Sequence, residues 1–289
     1  MTNENNKDQL EEYMSVSHLA NSDNPFAFLN DLIIPQANIA GRYEVRFAAN
    51  EAEVQAAQAL RYRVFYEEKH GSPNEEMIAN KRDIDEWDES GFHVIVLDTK
   101  AKEQPTVVGT LRLLVNSCLK PGQHFYTEET FNLDKLHQRY SSSVELSRFV
   151  IDPKGRGGAI LMLIWKFSMK FVRINQIQVA FGCASFSGTD VDKHLPILNY
   201  LYEHHLAPES FCPSPKVDDY IDLNALFKRD ADWNEAKKSI PTLLRGYIKL
   251  GAKISDAAII DKAFNTVYVS IYVETDNMLQ LNPNLVSNV

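Results

Sequence analysis

Glu145-Leu-Ser-Arg148-Phe-Val-Ile-Asp-Pro-Lys-Gly155-Arg-Gly157-Gly158 constrains the fold of this chain more than any other stretch. It runs directly into a segment, 159–174, that is apolar on nearly every side over two turns. Residues 144–151 have the composition of a strand, Asp152-Pro153 stops it, and the glycines make a tight turn. A helix apolar all round is buried. One that follows a strand through a short turn has a sheet to lie on. The chain is therefore expected to build an α/β domain around this unit.

Strand and helix patterns alternate through the rest. Residues 43–48 read as a strand and 51–69 as an amphipathic helix, with Asn50 as N-cap and Glu51 and Glu53 in its first turn. The stretch 72–91 is polar and acidic with little periodicity. Residues 92–98 and 107–116 are expected to pair as a hairpin. Further strands are expected at 178–186 and 266–274, and a helix at 191–205. The interval 207–265 reads as a Pro-containing loop followed by a helix near 233–250, interrupted or begun at Pro241. Residues 1–40 hold six acids against one base and few apolar residues, so they are expected to form a weakly ordered acidic arm. Its apolar patch, 25–35, is a candidate for docking on the body. The remainder, 41–289, is expected to be one domain with a helical insertion at about 190–260.

Charge and composition exclude several classes. The net charge is −9 and no basic footprint dominates, which argues against a nucleic-acid partner. Residues 1–13 are polar and acidic where a secretory signal needs a basic and then apolar run. No apolar run approaches the roughly 20 residues that span a bilayer. A cytoplasmic protein is expected, with peripheral contact at the inner membrane left open. Cys118, Cys183 and Cys212 have neither redox nor metal-ligand spacing, and no Cys/His set suggests a metal. No G-x-S-x-G elbow supports an acyl-serine mechanism.

Three groups of residues could carry chemistry. The glycine turn opens a helix, where free backbone N–H groups and the helix dipole suit a phosphate. Strand alternation places Glu145, Ser147 and Phe149 on one face and Leu146, Arg148 and Val150 on the other. A Glu and an Arg on a central strand are costly unless paired or functional, so a structural ion-pair network competes with a catalytic role. Arg61 and Phe65 share a helical face at i, i+4. Asp83, Asp85 and Asp88 beside Trp87 read equally as an ammonium site or a solvated turn, and Gly109-Thr-Leu-Arg112 puts an arginine in another strand.

Taken in order, Arg61 with Phe65, the three aspartates, Arg112, and Glu145 with Arg148 resemble the motif set of acyl-homoserine-lactone synthases. The stretch Tyr66-Glu-Glu-Lys-His-Gly71 lacks the tryptophan usual there. The C-terminal half resembles the related bacterial N-acyltransferases that begin ornithine lipid synthesis. That likeness rests on Cys183-Ala-Ser-Phe-Ser-Gly-Thr-Asp190, Leu201-Tyr-Glu-His-His-Leu-Ala-Pro208, Pro241-Thr-Leu-Leu-Arg245-Gly-Tyr-Ile-Lys-Leu-Gly-Ala252 and Asp261-Lys-Ala-Phe-Asn-Thr266. Together the resemblances cover about residues 41–275.

They imply a GNAT-type acyltransferase fold, with a mixed, mostly antiparallel sheet flanked by helices and extra C-terminal helices. They also imply transfer of a (3-hydroxy)fatty acyl group from acyl carrier protein to the α-amine of L-ornithine, giving lyso-ornithine lipid. No cofactor or metal is implied beyond the acyl thioester itself, with coenzyme A left open as the donor's carrier. Glu145 becomes the expected base, with Arg148 as catalytic partner. Arg61, Phe65, Asp83, Asp85, Asp88 and Arg112 become expected substrate-binding residues, the aspartates for an ammonium and an arginine for a carboxylate. Ile151, Lys154, Gly155, Arg156, Gly157 and Gly158 are expected to hold the acyl donor. A carrier protein is expected to dock on the basic stripes Lys166, Lys170, Arg173 or Arg245, Lys249, Lys253. Other readings stay open: acylation of glycine, serine or glutamine, an acyl-homoserine-lactone synthase, or a non-catalytic acyl- or membrane-binding module.

Overall fold

The computed structural model describes residues 13–15, 32–101, 105–156, 158–227 and 233–281. Of the expected acidic arm, 1–12 and 16–31 lie outside the described residues, as does Gly157. The first strands are β1 (Tyr13–Ser15) and β2 (Ile33–Pro35), paired with each other, then β3 (Asn38–Ala40) and β4 (Tyr43–Phe47). Helix α1 (Glu51–Tyr62) starts where the Asn50 side chain accepts the Glu53 N–H, and it passes into a π-helical turn at Arg63–Glu68. After α2 (Glu75–Asn80) come β5 (Phe92–Asp98), β6 (Thr106–Val115), β7 (Phe131–Asn132), α3 (Asp134–Arg139) and β8 (Ser143–Ile151). Helix α4 (Ala159–Ile174) crosses to β9 (Val179–Ser187). The C-terminal part adds α5 (Val191–His205), β10 (Ser214–Pro215), β11 (Ile221–Asp222), α6 (Leu223–Leu226), α7 (Trp233–Ser239) and α8 (Thr242–Lys249). The chain then forms β12 (Lys253–Asp261), β13 (Thr266–Glu274) and α9 (Thr275–Leu281).

Nine of these strands form one sheet in the order β11-β12-β13-β9-β8-β6-β5-β4-β3. Every neighbouring pair is antiparallel except β8 and β9, which run parallel because α4 connects them. Helix α4 is the buried helix that its composition requires. Ile160, Ile164, Phe167 and Phe171 sink against the sheet, and Phe47 meets Phe167 and Phe171 edge-on. Leu32 and Ile34 pack on the same core, and the Asn175 side chain bonds both the N–H and the C=O of Ile33. Residues 32–35 of the expected docking patch therefore do sit on the body, while 25–31 lie outside the described residues. Strand β3 belongs to the sheet, so the body begins ahead of the expected boundary at residue 41.

The fold positions its cleft by splitting two strands. Pairing of β8 with β9 runs only from Ser143↔Val179 to Leu146↔Gly182. There Gly182 lets the chains close: an added Cβ would stand 2.4 Å from the Leu146 carbonyl oxygen. On its other side, β8 slips register against β6 between Thr110 and Arg112, and Arg148 takes a positive φ of 56°. This is a β-bulge, which bends its strand and breaks the alternation. Beyond it β8 and β9 diverge.

The bulge overturns one expectation about faces. Phe149 joins Val144 and Leu146 in the core beneath α4, and Val150 joins Leu60 of α1 on the opposite side. Arg148, the extra residue, turns to the side of Glu145. Other elements escaped the sequence pattern, among them α2, a 3₁₀ turn and β12. The stretch 72–91 contains α2 and a 3₁₀ turn at Glu86–Glu89. Strand β12 lies inside the interval read as loop and helix, because its register slips between Ile254 and Ala258 and its period of two is broken. Gly182→Ala is expected to lower unfolding free energy by about 1–3 kcal/mol in urea titrations. A loss under about 0.5 kcal/mol would mean that the two strands are not this close.

Candidate active site

The divergence of β8 and β9 opens a cavity lined by residues 145–149 of one strand and 180–185 of the other. Its apolar end is walled by Met169 of α4, Leu243, Leu244 and Tyr247 of α8, Ile271 of β13 and Met278 of α9. Its polar end is framed by Phe65, Lys69, Tyr126, Asp261 and Phe264.

Glu145 is fully buried on this cavity wall. Its carboxylate accepts the Tyr126 N–H at 2.9 Å, the Thr127 N–H at 2.8 Å and the Thr127 hydroxyl at 2.6 Å. Burial raises its pKa above the usual glutamate value, against the pull of those donors and of Arg112. Cys183 lies close by, with its sulfur 3.6 Å from the Thr127 hydroxyl. Desolvation and the Glu145 charge push its thiol up to about 12, so it is no nucleophile at neutral pH.

Behind Glu145 stand three guanidiniums and three carboxylates with balanced charge. Arg61 forks onto Asp88 at 2.8 and 2.7 Å and reaches Asp83 at 2.7 Å. Arg112 bonds Asp88 at 2.8 Å, Asp85, and the Ser147 hydroxyl at 3.1 Å. Arg148 bonds Asp83 at 3.0 Å and Asp85 at 2.7 Å, and its guanidinium lies 4.8 Å from the centroids of both the Tyr126 and Phe264 rings. The Tyr66 hydroxyl donates to Asp83 at 2.8 Å. Burial opposes ionisation of Asp83 and Asp88, but Arg148 and Arg61 for the first, and Arg61 and Arg112 for the second, outweigh it and hold both below the usual carboxylate range.

The expected residues thus separate by place. Glu145, Arg148 and Phe65 line the cavity, whereas Arg61, Asp83, Asp85, Asp88 and Arg112 stand behind it, bonded to one another. Arg61 and Phe65 were expected on one helical face. The change from α to π winding at Arg63 parts them. Ile151, Lys154, Gly155, Arg156 and Gly158 lie past the splay at the turn into α4, where Gly158 sits at φ +90° as N-cap without a side-chain cap. Arg156 there forks onto Glu68 at 2.6 and 2.7 Å. Sequence reading missed Tyr126, Lys69 and Asp261 on the cavity wall and Thr127, which bonds Glu145 from behind it. Tyr126 and Thr127 fall in a loop with no periodic signal, and Asp261 ends a strand that the pattern hid.

A model of the acetyltransferase (GNAT) domain matches residues 60–166. An L-ornithine N(alpha)-acyltransferase of Rhodobacter capsulatus is 33% identical over 238 residues, covering 82% of this chain and 91% of the relative. One of Rhizobium meliloti is 33% identical over 246 residues, covering 82% of each. Among solved structures, the N-acyl amino acid synthase FeeM from uncultured soil microbes aligns with a TM-score of 0.48 at 11% identity, over 84% of this chain and 96% of that one. The acyl-homoserine-lactone synthase LasI aligns at 0.43 and 13%, over 84% and 96%.

The buried cluster also carries a pH signature. Burial drives His93, beside Asp88, down to about 4. The unfolded chain therefore takes up this proton near pH 6.5 while the folded chain refuses it until about 4, and stability falls as pH drops through that window. Asp83 and Asp88 lose their contribution only below their ordinary range. Glu145 acts in the opposite sense, since its raised pKa favours the folded state as pH falls. The difference between wild type and His93→Gln isolates the histidine. The variant is expected to show a shallower loss of urea stability between pH 6.5 and 4.5, by up to about 1.4 kcal/mol per pH unit.

Proposed function

This chain belongs to the L-ornithine N(alpha)-acyltransferase family and is an acyltransferase with a GNAT domain. From that premise we propose that it moves a 3-hydroxyacyl group from an acyl carrier protein thioester to the α-amine of ornithine. The observation that carries the proposal is the splay of β8 from β9. It leaves two strand edges unpaired with each other beside a buried carboxylate, in a cavity whose far end is apolar. A pantetheine arm has amides that suit the open edges, and an acyl chain suits the wall of Leu243, Leu244, Tyr247 and Met278.

In the reaction the amine nitrogen attacks the thioester carbon, the C–N bond forms, and the C–S bond breaks. The carrier leaves as a thiol and the nitrogen loses one proton. Only a neutral amine attacks. An α-amine titrates near 8 and a lysine-like amine near 10.4, so holding the α-amine neutral costs about 3 kcal/mol less at neutral pH. Glu145 receives the proton in this proposal, directly or through a water, and the proton then passes to the departing sulfur. Its raised pKa makes it a better base than an ordinary carboxylate. Backbone N–H groups of the open β8 edge polarise the thioester carbonyl. The Arg–Asp cluster holds Arg148 and Ser147 in place rather than binding substrate, since its charges already pair with one another. The turn at Gly155 and Gly158 and the N-terminus of α4 receive the donor's phosphate.

The carrier protein meets a basic face near the cavity. Arg245 and Lys249 are exposed on α8, whose Leu243, Leu244 and Tyr247 line the apolar end. Lys166, Lys170 and Arg173 form a second, half-buried stripe on α4.

Purified protein given 3-hydroxyacyl carrier protein and ornithine is expected to release free carrier thiol and acyl-ornithine by mass. A lactone from S-adenosylmethionine, or no product, would contradict the assignment. Glu145→Gln is expected to cut turnover by about 100-fold or more with little change in donor affinity. Unchanged turnover would remove the base from Glu145. Reversing charge at Arg245 and Lys249 is expected to raise KM for the carrier substrate at low salt, with the effect fading at high salt.

A further inference from the structure

Besides Glu145, two charged side chains face the cavity without belonging to the buried cluster. Asp261 ends β12 half-buried on the cavity wall, where one carboxylate oxygen accepts the Phe264 N–H at 2.9 Å. Its charge reaches inward: it adds to desolvation in raising the pKa of Tyr126, Cys183 and Tyr268. Lys69 stands at the mouth, where its side chain still meets solvent and its ammonium lies 5.9 Å from the Phe65 ring centroid. Partial desolvation, and then the nearby Arg156, lower its pKa, so an added anion is favourable there. Among the described residues, neither Lys69 nor Asp261 forms an ion pair.

The backbone ties these two charges to one frame. The Asn265 side chain donates to the Lys69 carbonyl at 3.2 Å, and the Ser72 N–H donates to the Ala263 carbonyl at 2.6 Å. Phe65 and Phe264 meet edge-to-face at 5.3 Å between them. The β12–β13 hairpin is thus stitched to the segment after the π-helical turn, and a cation and an anion are held at one opening.

We propose that Lys69 and Asp261 form the acceptor clamp. Lys69 pairs with the α-carboxylate of the incoming amino acid, and Asp261 pairs with its side-chain ammonium, which directs the α-amine inward towards Glu145. The proposal rests on the ornithine reading above and assigns to Asp261 the ammonium site expected of Asp83, Asp85 and Asp88, whose oxygens are taken by arginines. It predicts preference for a basic acceptor. A neutral side chain of the same length leaves the Asp261 carboxylate desolvated and unpaired, and discrimination against a missing polar partner is large.

The test compares ornithine with norvaline, which has the same carbon skeleton and no terminal amine, using the full chain and a 3-hydroxyacyl carrier protein donor. Asp261→Asn keeps the oxygen that accepts the Phe264 N–H and removes the charge. Wild type is expected to favour ornithine. Asp261→Asn is expected to shrink the ornithine-to-norvaline ratio of kcat/KM by about 10-fold or more, through KM for ornithine, and Asp261→Glu is expected to restore part of it. Lys69→Met is expected to raise KM for both acceptors. A wild-type ratio retained in Asp261→Asn overturns the clamp and leaves the ornithine reading standing. Should Asp261→Asn fail to fold, an unchanged KM for both acceptors in Lys69→Met overturns it instead. Wild type that acylates no ornithine removes both the reading and the clamp.

Discussion

Arg148 is held by Asp83 and Asp85 at a backbone angle that side chains rarely adopt, and the cleft depends on that restraint. A positive φ in mid-strand costs free energy for any residue with a Cβ and persists only where the surroundings over-determine it. Two carboxylates and two flanking aromatic rings supply that surplus. The same carboxylates engage Arg61 from α1 and Arg112 from β6, so one buried cluster ties a helix, a loop and two strands to the bulge. Removing any single member would strand its partner's charge, which typically costs 3–5 kcal/mol. The cluster is therefore better understood as the fastening of the cleft than as a surface of it.

From the bulge the rest follows in sequence. It bends β8 away from β9, Gly182 marks the last point of close contact, and the gap beyond opens a cavity with one apolar and one charged end, with Glu145 on its wall at the last paired residues. In the proposed reaction the two ends of this cavity suit different ligands. An acyl chain gains from the apolar end, while an amino acid needs opposite charges at the other. Glu145 sits where the two meet, in surroundings that raise its pKa. Its three hydrogen bonds to Tyr126 and Thr127 also fix its direction, so one carboxylate serves the loop and faces the cavity.

The strands and the buried helix were legible because their apolar periods are clean. β13 and α5 were read to the residue, and α4 declared itself through its composition. The same alternation misled at the bulge, where it put Glu145 and Arg148 on opposite faces. Period two has no means of registering one extra residue. Register slippage hid β12 for the same reason and, with it, Asp261. Asp83, Asp85 and Asp88 were visible as a group, but whether they face a substrate or three arginines is settled by contacts between segments far apart in sequence. Local spacing reports which residue types are present and seldom whether their bonds are already taken.

The central claim is that the divergent edges of β8 and β9 receive the donor's pantetheine arm. Hydrogen exchange at the backbone amides of residues 147–149 and 183–185, with and without a saturating acyl-pantetheine thioester, tests it most directly. Slowed exchange at these edge amides on donor binding is the predicted result. Exchange there unchanged by a donor that demonstrably binds would contradict the account.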